Sequence, residues 1–209
     1  MKEAIYICLL QCDLHWEDAQ KNKSQIGAYL TEVTGADIIL LPELFSTALS
    51  VASTHLAESM DGETVVWMKD LAKKKKAVLC GSVMIKDKGH IYNRLLWVEP
   101  NGRVLHYDKR HLFSLIEEDK YFTAGTKRFI VEYEGWKICP MICYDLRFPV
   151  FSRNNVDYDL LLFIANWPNL RIAAWDSLLK ARAIENQAYV IGLNRVGTDG
   201  FNAKYPGHS

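Results

Sequence analysis

Three side chains with complementary chemistry stand where apolar runs end: a carboxylate at Glu43, an ammonium at Lys109 and a thiol at Cys143. Glu43 follows residues 36–42, Ala-Asp-Ile-Ile-Leu-Leu-Pro, and Lys109 follows residues 103–108, Arg-Val-Leu-His-Tyr-Asp. Cys143 closes residues 136–142, Trp-Lys-Ile-Cys-Pro-Met-Ile, and is followed at once by Tyr-Asp-Leu-Arg-Phe-Pro. Short apolar runs of this kind read as buried strands, and reactive groups in α/β sheets gather outside the carboxyl ends of strands. The three groups are therefore expected at one sheet edge. A cysteine with a reference pKa of about 8.5 is mostly protonated at neutral pH and becomes a useful nucleophile beside a base or a positive charge. Glu43 is the candidate base and Lys109 the candidate charge. A carboxylate of ordinary pKa, about 4.3, is a weak base near neutrality, so the site must be enclosed, as the apolar neighbours of Glu43 suggest. Taken singly, each residue has a plainer reading as a surface glutamate, a surface lysine or a small core cysteine.

The elements that must hold them follow from periodicity. Residues 4–11 read as a buried strand, and Asp13 is a candidate cap for a helix over 16–33 with Ile26, Leu30 and Val33 on one face, ended by Gly35. Strand 36–41 leads through a polar loop to a second helix over 62–76, with Val65, Met68, Leu71 and Ala72 inward. Its run Lys73–Lys76 suits the negative end of a helix dipole. Strands are expected over 77–85, 91–98 and 103–107, joined by turns at 86–89 and at Asn101-Gly102. A hairpin over 129–133 and 136–142, a short helix near 148–154, a strand over 158–165, a long helix over 171–187 and a strand over 189–194 complete the pattern. Two loose β-α-β units with hairpin excursions argue for a mixed α/β sandwich, not a simple doubly wound sheet. Residues 197–209 are turn-rich and read as lacking a closing element.

Composition narrows the function classes. The 209 residues are expected to form one domain, and 25 basic against 25 acidic side chains give no electrostatic case for nucleic acid or a membrane surface. The N-terminal stretch meets polar residues too early for a signal peptide, no run spans a bilayer, and a cytoplasmic location is expected. The five cysteines, 8, 12, 80, 139 and 143, lack paired spacing, so disulfides are not expected; Cys80 and Cys139 read as core residues. The six histidines form no metal signature. The partner is expected to be a small molecule.

The segments Leu-Leu-Pro-Glu43-Leu-Phe, Tyr-Asp-Lys109-Arg-His-Leu-Phe and Ile-Cys143-Tyr-Asp-Leu-Arg-Phe-Pro resemble, in order, the three catalytic segments of the nitrilase superfamily of carbon–nitrogen hydrolases. The resemblance runs through the chain, including Ala181-Arg-Ala-Ile-Glu-Asn-Gln187 and Asn194-Arg-Val-Gly197. Asp-Lys-Arg-His-Leu-Phe and Ala165-Asn-Trp-Pro168 resemble the omega-amidase branch. It implies a four-layer αββα sandwich, a homodimer, no metal or organic cofactor, and C-terminal elements beyond those present. It also implies a Glu-Lys-Cys triad: Glu43 as general base, Lys109 as oxyanion stabiliser and Cys143 as nucleophile. A second glutamate of the family, seven residues before a glycine, maps onto Glu118 by counting back from Gly125, with Glu117 the alternative.

The activity implied is hydrolysis of small linear amides, through a cysteine thioester with release of ammonia. The substrate class is that of omega-amides of dicarboxylates such as 2-oxoglutaramate. Arg147 and Arg171 are candidates for gripping the far carboxylate, Trp167 and Phe45 for walling the pocket, and the Tyr144 backbone N–H for the oxyanion. Other readings are a catalytically silent binding or scaffold protein, a nitrilase acting on cyanides, an acyltransferase using the same thioester, and a Cys143 paired with His106 or His111.

Overall fold

The computed structural model describes residues 2–209. The chain opens with β1 (Ile7–Leu9), α1 (Ala19–Tyr29), β2 (Ile38–Leu40) and α2 (Glu63–Lys75), and continues through β3 (Val78–Asp87), β4 (His90–Val98) and β5 (Val104–Asp108). After the single turn α3 (Glu118–Tyr121) come β6 (Val131–Tyr133), β7 (Trp136–Ile142), α4 (Pro149–Ser152), β8 (Leu160–Ala165), α5 (Ile172–Asn186) and β9 (Tyr189–Asn194). A small hairpin, β10 (Val196–Thr198) and β11 (Lys204–Pro206), follows. Among the described residues no helix is long and apolar enough to cross a membrane.

Two sheets form the centre. The first has the order β1-β2-β3-β4-β5, with β1, β2 and β3 parallel and β3, β4 and β5 antiparallel in succession. The second has the order β6-β7-β8-β9, in which β7, β8 and β9 are parallel. Alternation along each strand sorts the side chains of the first sheet onto two faces. Ile38, Leu40, Val78, Cys80, Leu95 and Trp97 join the second sheet in one core, whereas Ile39, Leu79, Leu96 and Val98 pack under α1 and α2 with Ile26, Leu30, Val65 and Met68. Trp175 and Leu179 of α5 pack against Leu193 and the other face of the second sheet. The layers are thus α, β, β, α, the sandwich anticipated from the sequence.

Several local expectations need correction. The first strand is three residues long and half-buried, because β1 lies at the sheet edge with one neighbour. Helix α1 starts later than expected and is capped by Asp18, whose Oδ1 accepts the N–H of Lys21 at 3.0 Å. Asp13 instead accepts from Arg195 Nη2 at 2.6 Å. Leu71 is only half-buried. Residues 197–209, expected to lack a closing element, contain the end of β10 and all of β11 and are tied back by bonds from Trp175 Nε1 to the His208 carbonyl and from Asn194 Nδ2 to that of Gly207. The lysine run behaves as expected at a helix end: Lys76 takes the left-handed cap position, and Lys75 Nζ donates to the carbonyls of Thr31 and Val33.

Burial leaves a titration signature. Loss of hydration pushes the Cys12 and Cys139 thiols up to about 12, and Cys80 higher still. In the unfolded chain these thiols ionise near pH 8.5, so between that pH and about 12 the unfolded state has lost protons that the native state keeps. Stability is therefore full at neutral pH and is lost as pH rises. We expect the urea midpoint to fall steadily from pH 8 to pH 11, with a shallower fall in a Cys12→Ala/Cys139→Ala variant.

Candidate active site

The carboxyl ends of β2, β5, β7 and β8 open on one edge of the sandwich. Strand β2 leads through Leu41 and Pro42 to Glu43, and Pro42, having no N–H, cannot continue the ladder. Leu44 then takes φ 44°, and its N–H donates to Ser82 Oγ at 2.8 Å, so the chain reverses immediately after Glu43. Phe45 is swung away by this reversal. It is fully buried against Trp67, with ring centroids 5.9 Å apart, and does not line the pocket, which corrects its assignment as a pocket wall.

Lys109 follows β5. Its N–H donates to the Asn93 carbonyl at 3.0 Å and its carbonyl accepts from Gly125 at 2.9 Å; a Cβ on Gly125 would collide with the Asp108 backbone. The Lys109 side chain is buried, and its three N–H groups reach Glu43 Oε1 at 2.8 Å, Glu118 Oε1 at 3.0 Å and Glu118 Oε2 at 2.9 Å. Glu118 is likewise buried and accepts the N–H of Phe113 at 2.7 Å, whereas Glu117 is exposed and pairs with Lys120 at 2.6 Å. Of the two glutamates open in the sequence, the structure brings Glu118 to the cluster. Burial alone would depress the Lys109 pKa, but Glu118 and Glu43 outweigh it and hold the ammonium above its usual range.

Glu43 is ringed by donors. Besides Lys109, its Oε1 accepts from Asn93 Nδ2 at 2.9 Å and its Oε2 from the Asn166 N–H at 2.9 Å, while Asn166 Nδ2 donates to the Glu43 carbonyl at 2.7 Å. Cys143 stands beside this group at φ 43°, a left-handed conformation unfavourable for any residue with a Cβ, and thus forms a strained elbow where β7 stops. Its Sγ lies 3.9 Å from the Asn166 carbonyl. Burial first, and then the Glu43 carboxylate, push the thiol well above its ordinary pKa, with Lys109 pulling the other way. The resting sulfur is therefore a thiol.

Asp145 supports the elbow. It is fully buried, and its Oδ2 accepts the Ile142 N–H at 3.1 Å and the Tyr107 hydroxyl at 2.7 Å. Its Oδ1 accepts the His111 N–H at 3.0 Å and pairs with His111 Nδ1 at 2.8 Å. One carboxylate thereby fastens the strand end bearing Lys109 to the turn bearing Cys143. The His111 ring stacks on Phe148 with centroids 3.6 Å apart, its Nδ1 is engaged by Asp145, and neither His111 nor His106 lines the pocket that Cys143 lines.

Glu43, Lys109, Glu118 and Cys143 all line a pocket of about 590 Å³. Tyr144, Arg147, Trp167 and Arg171 line it too. The Arg147 guanidinium lies 5.1 Å from the Trp167 ring centroid and that of Arg171 5.1 Å from Phe113. Neither guanidinium forms an ion pair with a described acidic side chain. Trp167 is fixed by Asn194, which accepts its N–H at 2.7 Å, and by its own Nε1, which donates to the Arg171 carbonyl at 2.8 Å. Asn93, Asp145 and Asn166 were not among the residues singled out from the sequence. The position of Asn166, directly after the run ending at Ala165, is the one signal of the strand-end kind among them.

Residues 7–209 match the family described as Carbon-nitrogen hydrolase. The chain belongs to that family. This carbon–nitrogen hydrolase is 48% identical over 205 residues to omega-amidase YafV of Escherichia coli K12, covering 97% of this chain and 79% of the relative. It is 34% identical over 209 residues to the 2-oxoglutaramate amidase of Bacillus subtilis 168, covering 97% and 80%. Among solved structures, a CN-hydrolase superfamily protein of Xanthomonas campestris, with an arsenic adduct in its active site, superposes with a TM-score of 0.96 at 44% identity, covering 99% and 81%.

The elbow of this hydrolase rests on four hydrogen-bond donors meeting one carboxylate. Replacing Asp145 by Asn points an NH2 group at two of them, so we expect Asp145→Asn to lose about 2–3 kcal/mol of stability in urea denaturation.

Proposed function

We propose that this chain is an amidase of the omega-amidase type, in which Cys143 is the nucleophile, Glu43 the general base and Lys109, held by Glu118, the fixed charge. The observation that carries the reading is a buried ammonium bonded to two buried carboxylates beside a thiol on a strained elbow, all at the wall of one pocket. The likeness to omega-amidase YafV and to the 2-oxoglutaramate amidase supports the substrate class.

An amide carbonyl is a poor electrophile and ammonia a poor leaving group, so the site must stabilise a tetrahedral oxyanion and protonate nitrogen. Cys143 Sγ attacks the carbonyl carbon as its proton passes to Glu43. The Tyr144 N–H, in the first turn of the helical segment that starts at Cys143, has no intrahelical acceptor and faces the developing oxyanion. A donor in that place is worth about 3–4 kcal/mol of barrier. Lys109 contributes chiefly as charge, because its N–H groups are already engaged with Glu43 and Glu118. Collapse of the intermediate breaks the C–N bond, the Glu43 proton goes to nitrogen, and ammonia leaves a thioester on Cys143. Glu43 then takes a proton from water, the hydroxide adds to the thioester, and the acid departs as the thiol re-forms.

The two unpaired guanidiniums at the pocket wall suit a substrate with a carboxylate at the end away from the amide, and Trp167 braces Arg147. The reading extends to a cytoplasmic homodimer. The five free cysteines support a reducing compartment, and the exposed apolar side chains Leu170, Ile184 and Tyr189 on and beside α5 support pairing through that helix.

Cys143→Ala is expected to abolish ammonia release from 2-oxoglutaramate and succinamate, by at least about 10³-fold, with the circular dichroism spectrum unchanged. Glu43→Gln should be nearly as damaging. Mass spectrometry should detect an acyl adduct on Cys143 of the wild-type protein; turnover that survives Cys143→Ala overturns the assignment. Arg171→Met, and in a second variant Arg147→Met, test the carboxylate grip. Loss of a charged hydrogen-bond pair should raise KM for succinamate by about 10–100-fold while leaving that for a neutral aliphatic amide nearly unchanged.

A further inference from the structure

One fully buried polar side chain at the site has no assigned role. Asn93 lies near the start of β4, opposite Met84 of β3, and no part of it reaches solvent. Its Nδ2 donates to Glu43 Oε1 at 2.9 Å and to Glu118 Oε1 at 3.2 Å, and its backbone carbonyl accepts the Lys109 N–H at 3.0 Å. The orientation of the amide is dictated by chemistry: turned over, Oδ1 would face two carboxylate oxygens. In the orientation present, Oδ1 is buried with no partner. An unpaired buried acceptor costs stability that leucine, similar in size, would not incur. A position that served packing alone would be better filled by an apolar residue.

We propose that Asn93 is a positioning residue of the reaction, whose single NH2 group is shared between Glu43 and Glu118 so that both carboxylates share one ammonium. With two carboxylates and one Lys109, the cluster places two acidic groups on one ammonium among buried side chains. The amide supplies one extra donor to each carboxylate and holds Glu43 Oε1 at a fixed distance from Lys109 while leaving Oε2 on the side of Asn166 and Cys143. Without it the two carboxylates compete for Lys109, and Glu43 is no longer presented to the thiol. Asn93 does not line the pocket, so it acts through the glutamates and not on the substrate.

The inference rests on the amidase reading, and the test separates the two. Asn93→Leu and Asn93→Ser are compared with wild type in steady-state ammonia release from succinamate, in the rate at which iodoacetamide alkylates Cys143, and in thermal unfolding, each also in a Glu118→Gln background. The expected result for folded Asn93→Leu is a kcat lower by about 30-fold or more with KM within about threefold. Alkylation of Cys143 should slow in parallel. Because the role runs through the shared carboxylates, the same substitution in Glu118→Gln should cost less than about a third of that factor. A kcat within twofold of wild type, a loss confined to KM, or an equal loss with and without Glu118→Gln overturns the proposal. So does failure of both Asn93 variants to fold, which makes the position purely structural. If wild type releases no ammonia from any amide, the amidase reading fails, while the alkylation rates still decide the role of Asn93.

Discussion

The constraint on which the site depends is the burial of one positive charge, Lys109, between two negative ones. A lone ammonium or carboxylate in a water-excluded interior costs several kcal/mol, and removing one member of a buried pair typically costs about 3–5 kcal/mol because its partner is stranded. Glu43, Lys109 and Glu118 therefore stand or fall together, and the fold must deliver them with little error. It does so by placing them on segments whose ends are fixed by ladders: β2 before Glu43, β5 before Lys109, and α3 held through the Phe113 N–H to Glu118. The bidentate pairing of Arg94 with Asp108, at 2.6 and 3.0 Å, fixes the last residue of β5 as well.

The second requirement is a thiol that reaches this cluster from the other sheet. Strand β7 ends one residue short of Cys143, and the left-handed backbone there turns the sulfur toward Asn166 and the pocket. Strain of about 1–3 kcal/mol at such a residue persists only where the surroundings over-determine it. Asp145 gathers Ile142, Tyr107 and His111, and Arg182 holds the Leu146 carbonyl at 2.8 and 3.1 Å. The two sheets thus meet twice at this edge, once through the Asn166 donors to Glu43 and once through the donors around Asp145.

How much of this was legible in the sequence depended on strand direction. Glu43, Lys109 and Cys143 all follow a strand that points to the same edge, so a search for reactive residues after apolar runs finds them. Asn93 reaches the same edge from β4, which runs the other way, and it therefore lies near the start of its strand, where that search does not look. Asp145 escapes notice for a different reason: besides the local N–H of Ile142, its partners Tyr107 and His111 are more than thirty positions away. Phe45 misleads because a residue two beyond a site residue shares its face only in an extended chain, and the left-handed Leu44 breaks the extension. The mixed α/β sandwich was recoverable from the order of the elements and its four layers from the family resemblance, whereas the exact cap of α1 was not, since Asp13 and Asp18 both precede the helix and only tertiary contact with Arg195 claims the first.

The presence of two carboxylates on one lysine has a consequence for the proposed reaction cycle. Glu43 is asked to accept a proton from Cys143, surrender it to nitrogen, and accept another from water, so for part of each turnover it is neutral. Were it the sole partner of Lys109, the ammonium would then be a buried charge without a counter-ion, and each proton transfer would carry the penalty of stranding it. Glu118 accepts two of the three Lys109 hydrogen bonds and stays in place through every step, so the lysine keeps its charge and its position while Glu43 titrates. When Glu43 takes the thiol proton, negative charge moves from the carboxylate to sulfur and then to the oxyanion, and the total is unchanged. The cluster therefore relocates one negative charge around a fixed positive one, and no step has to bring a new ion into, or expel one from, the dry part of the site. Preorganised charge of this kind stabilises a transition state without the reorganisation that water would require.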